Sequence, residues 1–174
     1  KLDPALLLRV AEAHAGGACP ASLVLVGPEG PATEAMRRGL DALRERGYDL
    51  ALFSNAAEPY FQTVVEVHGL DRWFSRTLSL EYAMRRRLAR DKRGMLHYLA
   101  RGYERLVVVG DRVHDIEAGR ALGARTVGCR YGFGERHELG EADWCIDRVD
   151  ELLGLPLDLA SPHANPGTES QAHG

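Results

Sequence analysis

One stretch of the chain decides the fold: LVVVGDRVHDIEAGRALG, residues 106–123. It begins with an unbroken apolar run, continues through Gly110-Asp111, and then forms a short segment that starts near Asp115 and ends at Gly123. Such a run is typical of a strand that is buried on both faces, as in parallel sheets. Open parallel sheets carry their chemistry at the carboxyl ends of the strands. The stretch therefore predicts a buried strand, a short helix, and two carboxylates at a functional edge between them.

Two interpretations of Asp111 and Asp115 follow from this placement. Two carboxylates about 4 Å apart repel by roughly 1 kcal/mol in water and by several times more near a protein interior. They must be well solvated or neutralised by a cation, and Mg²⁺ favours oxygen ligands of this kind. Alternatively, Asp111 ends a strand and Asp115 caps the following helix. The stretch alone leaves both interpretations open.

Composition excludes several classes of protein. The chain has 174 residues, of which 45% are hydrophobic and 27% charged, as in an ordinary globular domain. Its net charge of -3 gives no signal for nucleic acid or for an anionic membrane. The three cysteines are unclustered, so we expect no disulfide framework, no zinc site and a cytoplasmic location. No apolar run approaches the roughly 20 residues that cross a bilayer, so we expect no membrane partner.

Strands and helices alternate along the rest of the sequence. Strands are predicted at 22–26, 50–53, 73–80, 126–129 and 144–146, and helices at 5–14, 33–46, 58–68, 94–101 and 149–153. This alternation predicts an α/β fold with a doubly wound, mostly parallel sheet. The residues from 161 onward are small and polar, which predicts disorder.

Two further segments have side chains suited to binding an anion. Ser54 and Asn55 follow the strand at 50–53, where a hydroxyl, an amide and helix N–H groups would together suit phosphate. Capping of the next helix is the alternative use of these residue types. The basic run 85–93 contains Lys92, and a lysine at a helix start can neutralise a bound phosphate. A solvated basic loop or a patch for a polyanion are the alternatives for this run.

Taken in order, these segments resemble the haloacid dehalogenase-like (HAD) hydrolase superfamily, and most nearly its phosphoglycolate-phosphatase-like branch. Residues 40–55 resemble the second motif of that family with its preceding helix, Lys92 lies where the lysine of the third would fall, and residues 107–123 resemble the fourth. The likeness covers about 33–153. It implies a Rossmann-like core over 22–155 with at most a minimal cap. Sequence pattern and composition add an N-terminal helix and linker, or a cap remnant, over 1–21 and a disordered tail over 156–174.

The resemblance also implies an activity, that of a Mg²⁺-dependent phosphatase. Such enzymes form an aspartyl-phosphate, and covalent catalysis of this kind splits one difficult displacement into two. Ser54 would hold the transferring phosphoryl oxygens, with Asn55 beside it. Lys92 would offset charge on the phosphate and the nucleophile. Asp111 would bind Mg²⁺ and Asp115 would bind or orient it. The expected partner is a small phosphorylated metabolite rather than a nucleic acid.

The first motif of the family, a strand that ends in Asp-x-Asp-Gly-Thr, does not occur in this sequence. The nearest string is LVLVGPEG at 23–30, which would put Gly27 in the position of the nucleophile and Glu29 in that of the acid/base. Glycine cannot attack phosphorus. Either the nucleophile strand precedes Lys1, or the motif has decayed and the domain is a non-catalytic phosphate- or partner-binding module. A receiver-like regulatory domain is a third reading, disfavoured because such domains carry their acidic pair early in the chain.

Overall fold

The computed structural model describes residues 6–12, 22–26, 34–132 and 135–157. Its strands are β1 (Leu6–Glu12), β2 (Ser22–Val26), β3 (Tyr48–Ser54), β4 (Phe74–Ser79), β5 (Val107–Gly110), β6 (Arg125–Cys129) and β7 (Trp144–Ile146). Its α-helices are α1 (Glu34–Glu45), α2 (Glu58–His68), α3 (Leu80–Arg85), α4 (Lys92–Leu99) and α5 (Val113–Ala121). Short 3₁₀ helices cover Leu70–Arg72, Arg136–Leu139 and Val149–Gly154. None of the helices in this part of the chain is long and apolar enough to cross a membrane.

All seven of these strands belong to one sheet. Its order is β4-β3-β1-β5-β6-β7, and β2 also pairs with β1. The pairs β3/β4, β5/β6 and β6/β7 are parallel, whereas β1 is antiparallel to β2, β3 and β5. Every described strand except β1 therefore runs in the same direction. This arrangement confirms the predicted mostly parallel α/β sheet.

Helices cover both faces of the sheet, and β5 shows why its sequence is an unbroken apolar run. Val107 and Val109 pack on one side, in a cluster that includes Leu40 of α1. Val108 points the other way, into a cluster that includes Met95 of α4. Successive side chains of a strand alternate between its faces, so a strand covered on both sides needs an apolar residue at every position. The fold is accordingly doubly wound.

The N-terminal helix predicted for 5–14 is wrong, because the chain forms strand β1 there. Leu6-Leu7-Leu8 is a short apolar run, and periodicity alone does not distinguish a buried strand from a helix in such a run. β1 lies between β3 and β5, where ladder pairing on both sides outweighs the helix propensity of leucine and alanine. The predicted domain boundaries stay predictions. The predicted tail begins at residue 156, and from residue 158 onward it lies outside the described residues.

Most other elements agree with the sequence prediction to within a few residues. The helix predicted at 58–68 is confirmed by α2, and the strands at 22–26, 126–129 and 144–146 are confirmed by β2, β6 and β7. α4 begins at Lys92, two residues earlier than predicted. Helix α3 was not predicted. It starts where the Ser79 hydroxyl accepts a hydrogen bond from the N–H of Tyr82 at 3.0 Å, within the segment assigned to a strand.

Candidate functional site

The tips of β3 and β5 lie at the same edge of the sheet. Ser54 at the end of β3 pairs with Leu6 of β1, and Val107 at the start of β5 pairs with Val10 of β1. Both strands are antiparallel to β1, so their carboxyl ends point the same way. The sheet therefore brings two of the predicted site segments, those at Ser54 and at Asp111, to one edge.

Asp115 is fully buried and makes two polar contacts. Its Oδ1 lies 2.5 Å from Lys92 Nζ, and its Oδ2 accepts a hydrogen bond from the N–H of Arg112 at 3.2 Å. The second contact is the reciprocal bond of a capping box, because Arg112 is the N-cap of α5 and Asp115 is its third residue. Asp115 therefore supports the start of the helix without being its N-cap. The first contact joins α5 to the start of α4. Asp115 thus has both a local and a long-range role.

Lys92 is presented by the first turn of α4. Helix α4 begins there because Asp91 Oδ1 accepts a hydrogen bond from the N–H of Gly94 at 2.7 Å, as an N-cap does. The Lys92 side chain is only 10% exposed. The cap therefore fixes the helix start, and the helix start directs the ammonium group toward the tip of β5.

Burial dominates the electrostatics of this centre. It raises the pKa of Asp115, the Lys92 ammonium opposes that rise, and the Asp111 carboxylate adds to it. Asp111 itself is 1% exposed. Two buried carboxylates with one lysine form a centre where a further cation would lower the electrostatic free energy.

The side chains present fit Mg²⁺ in their donor chemistry, because carboxylate oxygens are its preferred protein ligands. The two oxygens of Asp115 already contact Lys92 and Arg112, which fits an orienting role for this residue. Asp111 fits the role of ligand better. Over the described ranges, no group of three or more His, Cys, Asp or Glu side chains is arranged to hold a metal ion.

Two glycines leave room for the aspartates. A Cβ at Gly110 would lie 2.2 Å from Cβ of Asp115, and a Cβ at Gly132 would lie 2.2 Å from Cβ of Asp111. Neither distance is compatible with a side chain unless the aspartate moves. Gly110 is the glycine of the Gly-Asp motif, whereas Gly132 follows β6 and reaches the site only through the fold.

The tip of β3 is organised more locally. Ser54 is buried, and its Oγ accepts a hydrogen bond from the N–H of Ala56 at 3.0 Å, which closes a tight turn. Asn55 is exposed beside it. At the start of α2, the N–H of Glu58 donates to Glu81 Oε2 at 2.8 Å. The end of this helix therefore attracts an anionic oxygen, and a side chain of the protein supplies one.

Sequence reasoning missed two residues beside the site. Ser79, at the tip of β4, pairs with Ser54 and hydrogen-bonds the carboxylate of Glu58. Tyr131 follows β6, and its hydroxyl accepts from Cys129 Sγ at 3.2 Å. Burial raises the pKa of Tyr131, so it stays neutral at physiological pH. Ser79 ends a strand at the functional edge and Tyr131 follows one, and that position is the signal that identifies them.

Gly27 and Glu29 lie outside the described residues. The strand that precedes them, β2, ends at Val26, which pairs with Leu7 of β1. Leu7 also pairs with Phe53 of β3. β2 therefore ends at the same edge of the sheet as β3.

Comparison with known proteins gives a consistent family. The family described as "HAD-hyrolase-like" matches residues 80–153. A phosphoglycolate phosphatase of Haemophilus influenzae (strain ATCC 51907 / DSM 11121 / KW20 / Rd) is 31% identical over 126 residues, which are 69% of this chain and 55% of that protein. Another, from Pasteurella multocida (strain Pm70), is 28% identical over 122 residues, 67% of this chain and 53% of that protein. The chain thus spans about half the length of the curated relatives it matches.

Solved structures agree on the fold. One, described as a predicted phosphatase from Clostridium acetobutylicum, has a TM-score of 0.62 at 22% identity. The match covers 72% of this chain and 60% of that chain. A second, described as a predicted phosphoglycolate phosphatase from Haemophilus somnus 129Pt, has a TM-score of 0.58 at 23% identity, with coverages of 76% and 57%. At these identities the likeness shows the fold alone.

Proposed function

We propose that this chain is a phosphatase that acts on a small phosphate ester. The chain belongs to the HAD superfamily and is phosphoglycolate-phosphatase-like. One observation carries the proposal. The buried pair of Lys92 and Asp115 lies next to Asp111 at the tip of β5, at the same sheet edge as Ser54. A cationic side chain and a hydroxyl at one edge are suited to hold a phosphoryl group between them.

Side chains at both strand tips would donate hydrogen bonds to the phosphate. Ser54 Oγ accepts one hydrogen bond from the backbone, and its own proton is a donor toward a phosphoryl oxygen. Asn55, exposed beside it, adds an amide donor. Lys92 has three N–H donors, of which Asp115 takes one, so the ammonium can also contact phosphate. Lys92 thereby offsets charge on the phosphoryl group and on an attacking carboxylate.

Asp111 is the residue that would hold Mg²⁺, and Asp115 would orient it through α5. Bound Mg²⁺ would supply positive charge to the phosphoryl oxygens. The oxygen-only donor chemistry and the burial of both aspartates support this assignment. Asp115 contributes by holding Lys92 in place, which keeps the ammonium group directed toward the phosphate.

The proposed reaction is a double displacement. A carboxylate oxygen forms a bond to phosphorus while the ester P–O bond breaks and the alcohol leaves, and water then hydrolyses the acyl-phosphate. The sequence has no Asp-x-Asp motif to supply that carboxylate. The nucleophile strand would then be one that this sequence does not include.

A second candidate function is a non-catalytic phosphate- or partner-binding module. The observation that favours it is the direction of β1. β1 lies between β3 and β5 but runs antiparallel to both. Its first residue, Leu6, therefore lies at the functional edge, where a parallel strand would have its carboxyl end. Gly27 and Glu29 would then be the remnant of the first motif.

Hydrolysis of p-nitrophenyl phosphate with Mg²⁺ tests the proposal. If the chain is a phosphatase, the wild type should turn over this substrate and Asp111→Asn should abolish the turnover. The control is Asp71→Asn, a change at an exposed aspartate, which should retain the wild-type activity. No turnover in a chain confirmed as complete by intact mass would contradict the enzyme assignment. In that same complete chain, saturable phosphate binding without turnover, lost in Lys92→Met, would establish the binding module instead.

We also infer a cytoplasmic location. Cys129 and Cys145 are both thiols in the folded chain, which suits a reducing compartment.

A further inference from the structure

A groove of about 560 Å³ follows the outer edge of the sheet, at the opposite end of α4 from Lys92. Residues 75–78 of β4 form one side of it. The other side comes from α3, α4 and the residues next to them, namely Tyr82, Leu88, Tyr98, Leu99 and Arg101. Neither the phosphatase proposal nor the family resemblance uses this surface.

The strand that borders the groove, β4, is the outermost strand on one side of the sheet. Among the described strands, β4 pairs with β3 alone. The pairing is regular from Arg76 to Ser79, and a register shift leaves Ser75 as an extra residue between that run and the pair of Leu50 with Phe74. An edge strand has backbone N–H and C=O groups on its outer side that can pair with another chain. Residues Arg76 to Leu78 therefore offer a short template for an added strand.

The floor of the groove is apolar. Leu78 and Leu99 are buried there and Leu88 is partly buried beside them, all within the cluster that supports α4. An extended chain points alternate side chains to opposite sides. The floor therefore fits apolar side chains at every second position of a bound strand.

Arginines lie on and beside the two tyrosines that line the groove. Arg101 itself lines the groove, and its guanidinium lies over the ring of Tyr98, 5.2 Å from its centroid. On the other side, Arg86 and Arg85 lie beside the lining residue Tyr82, 5.5 and 5.7 Å from its ring centroid. Within the described part of the chain, these three arginines form no ion pair with a carboxylate. Stacking on tyrosine holds the side chains in place and leaves their charge uncompensated.

Asp49, the acidic side chain that contacts Ser75 of β4, is already engaged. Asp49 accepts a hydrogen bond from Ser75 Oγ at 2.5 Å and also one from Tyr103, and it lies 3.5 Å from Arg44. Arg76, in the groove itself, donates to the carbonyl of Leu99 at 2.9 Å. Among the residues that line the groove, the charged ones are Arg76 and Arg101, and both are cationic.

We propose that this groove is a docking site for an extended acidic peptide segment of a partner protein, which adds to β4 as a further strand. Main-chain pairing with β4 would supply the affinity, the leucine floor would accept alternate apolar side chains, and the arginines would select for acidic residues between them. The free strand edge and the apolar floor favour a peptide over a nucleic acid, as does the net charge of -3.

Fluorescence anisotropy with a labelled peptide, EVEVEVE with both ends blocked, tests the proposal on the full chain at low salt. We expect saturable binding that weakens by about tenfold in the double variant Arg86→Glu/Arg101→Glu, because both changes replace attraction by repulsion. Arg38→Glu, a reversal on exposed Arg38 of α1 on the opposite face of the sheet, is the matched control and should bind like the wild type. Thermal unfolding of each variant by circular dichroism establishes that it is folded.

Three further probes separate strand addition from simple charge attraction. The peptide KVKVKVK should not bind. A version of EVEVEVE that is N-methylated at alternate residues keeps its charge but cannot form the ladder, and it should bind at least about tenfold more weakly. Equal binding of the methylated peptide, equal binding to the double variant, or tighter binding of oligo-dT than of EVEVEVE would each overturn the proposal.

Discussion

At the tip of β3, Ser54 accepts a hydrogen bond from Ala56, two residues further along the chain. At the tip of β5, Asp115 contacts Lys92, which lies 23 residues earlier and on another helix. Both segments have the same sequence pattern, a buried apolar strand that runs into small polar or acidic residues. One tip is held by its own turn, whereas the other depends on the packing of α4 against α5.

The two kinds of contact differ in how closely they are tied to function. A local hydrogen bond forms wherever the turn forms, and it is compatible with a purely structural role. A buried ion pair between distant segments needs the whole fold to compensate its desolvation, and pairs of this kind concentrate at functional sites. The contrast predicts that substitutions at β5 and α4 cost more stability than those at β3.

The largest effect is expected from breaking the ion pair. Lys92→Met leaves the Asp115 carboxylate buried without its cation, and the free energy of unfolding should fall by about 3 kcal/mol. Urea denaturation measures it. The double variant Lys92→Met/Asp115→Leu removes both charges and should recover part of the loss. A cost below about 1 kcal/mol for the single variant, as for an exposed pair, would show that the pair is not buried in solution.

A smaller effect is expected from crowding the same pair. Gly110→Ala places a methyl group 2.2 Å from Cβ of Asp115, and the displaced side chain should cost about 2 kcal/mol of unfolding free energy. Gly154→Ala is the matched control, because a Cβ there meets no atom within 4 Å. Equal stability of the two variants would contradict the close approach of β5 and α5.

The β3 tip should respond more weakly. Ser54→Ala removes a buried hydrogen bond to one backbone N–H, and we expect a loss of about 1 kcal/mol in chemical denaturation. Asn55→Ala, at the exposed neighbour, should change stability by no more than about 0.5 kcal/mol. If Ser54→Ala costs as much as Lys92→Met, the proposed difference between the two tips is wrong.

The smallest effect is expected at Glu138, which supports the start of α5. Its carboxylate accepts from the N–H of Val113 at 3.1 Å, and this bond, with Arg112 nearby, lowers the pKa of Glu138 below its ordinary 4.5. A lowered pKa in the folded state contributes stability above the ordinary value that is lost as the pH falls through the folded value. Glu138→Gln should therefore lower Tm slightly at neutral pH and lose its difference from wild type in acid. A difference that persists unchanged in acid would contradict the assignment.

Sequence predicted the sheet and its edge well because those depend on local patterns. The run at β5 is apolar at every position since both faces are covered, and Gly110-Asp111 marks its end. The sequence predicts Lys92 at the start of a helix, and in the structure Lys92 lies in the first turn of α4. These features follow from periodicity and capping, which neighbouring residues determine.

What the sequence could not predict depends on contacts between distant residues. The leucines of β1 suit a helix or a strand equally, and pairing with β3 and β5 decides between them. Gly132 matters because it packs on Asp111, 21 positions earlier in the chain. The basic run at 85–93 divides between Lys92 at the site and Arg85 and Arg86 beside Tyr82 of the groove, a separation that only the course of the chain around α3 and α4 reveals.

Calorimetric titration of Mg²⁺ in the presence of inorganic phosphate tests whether Asp111 is the residue that binds the cation. We predict binding by the wild-type chain that is lost in Asp111→Asn, weakened in Lys92→Met, and retained in the control Asp71→Asn. Mg²⁺ binding that survives the loss of both Asp111 and Asp115 would contradict the assignment of the tip of β5 as the cation site.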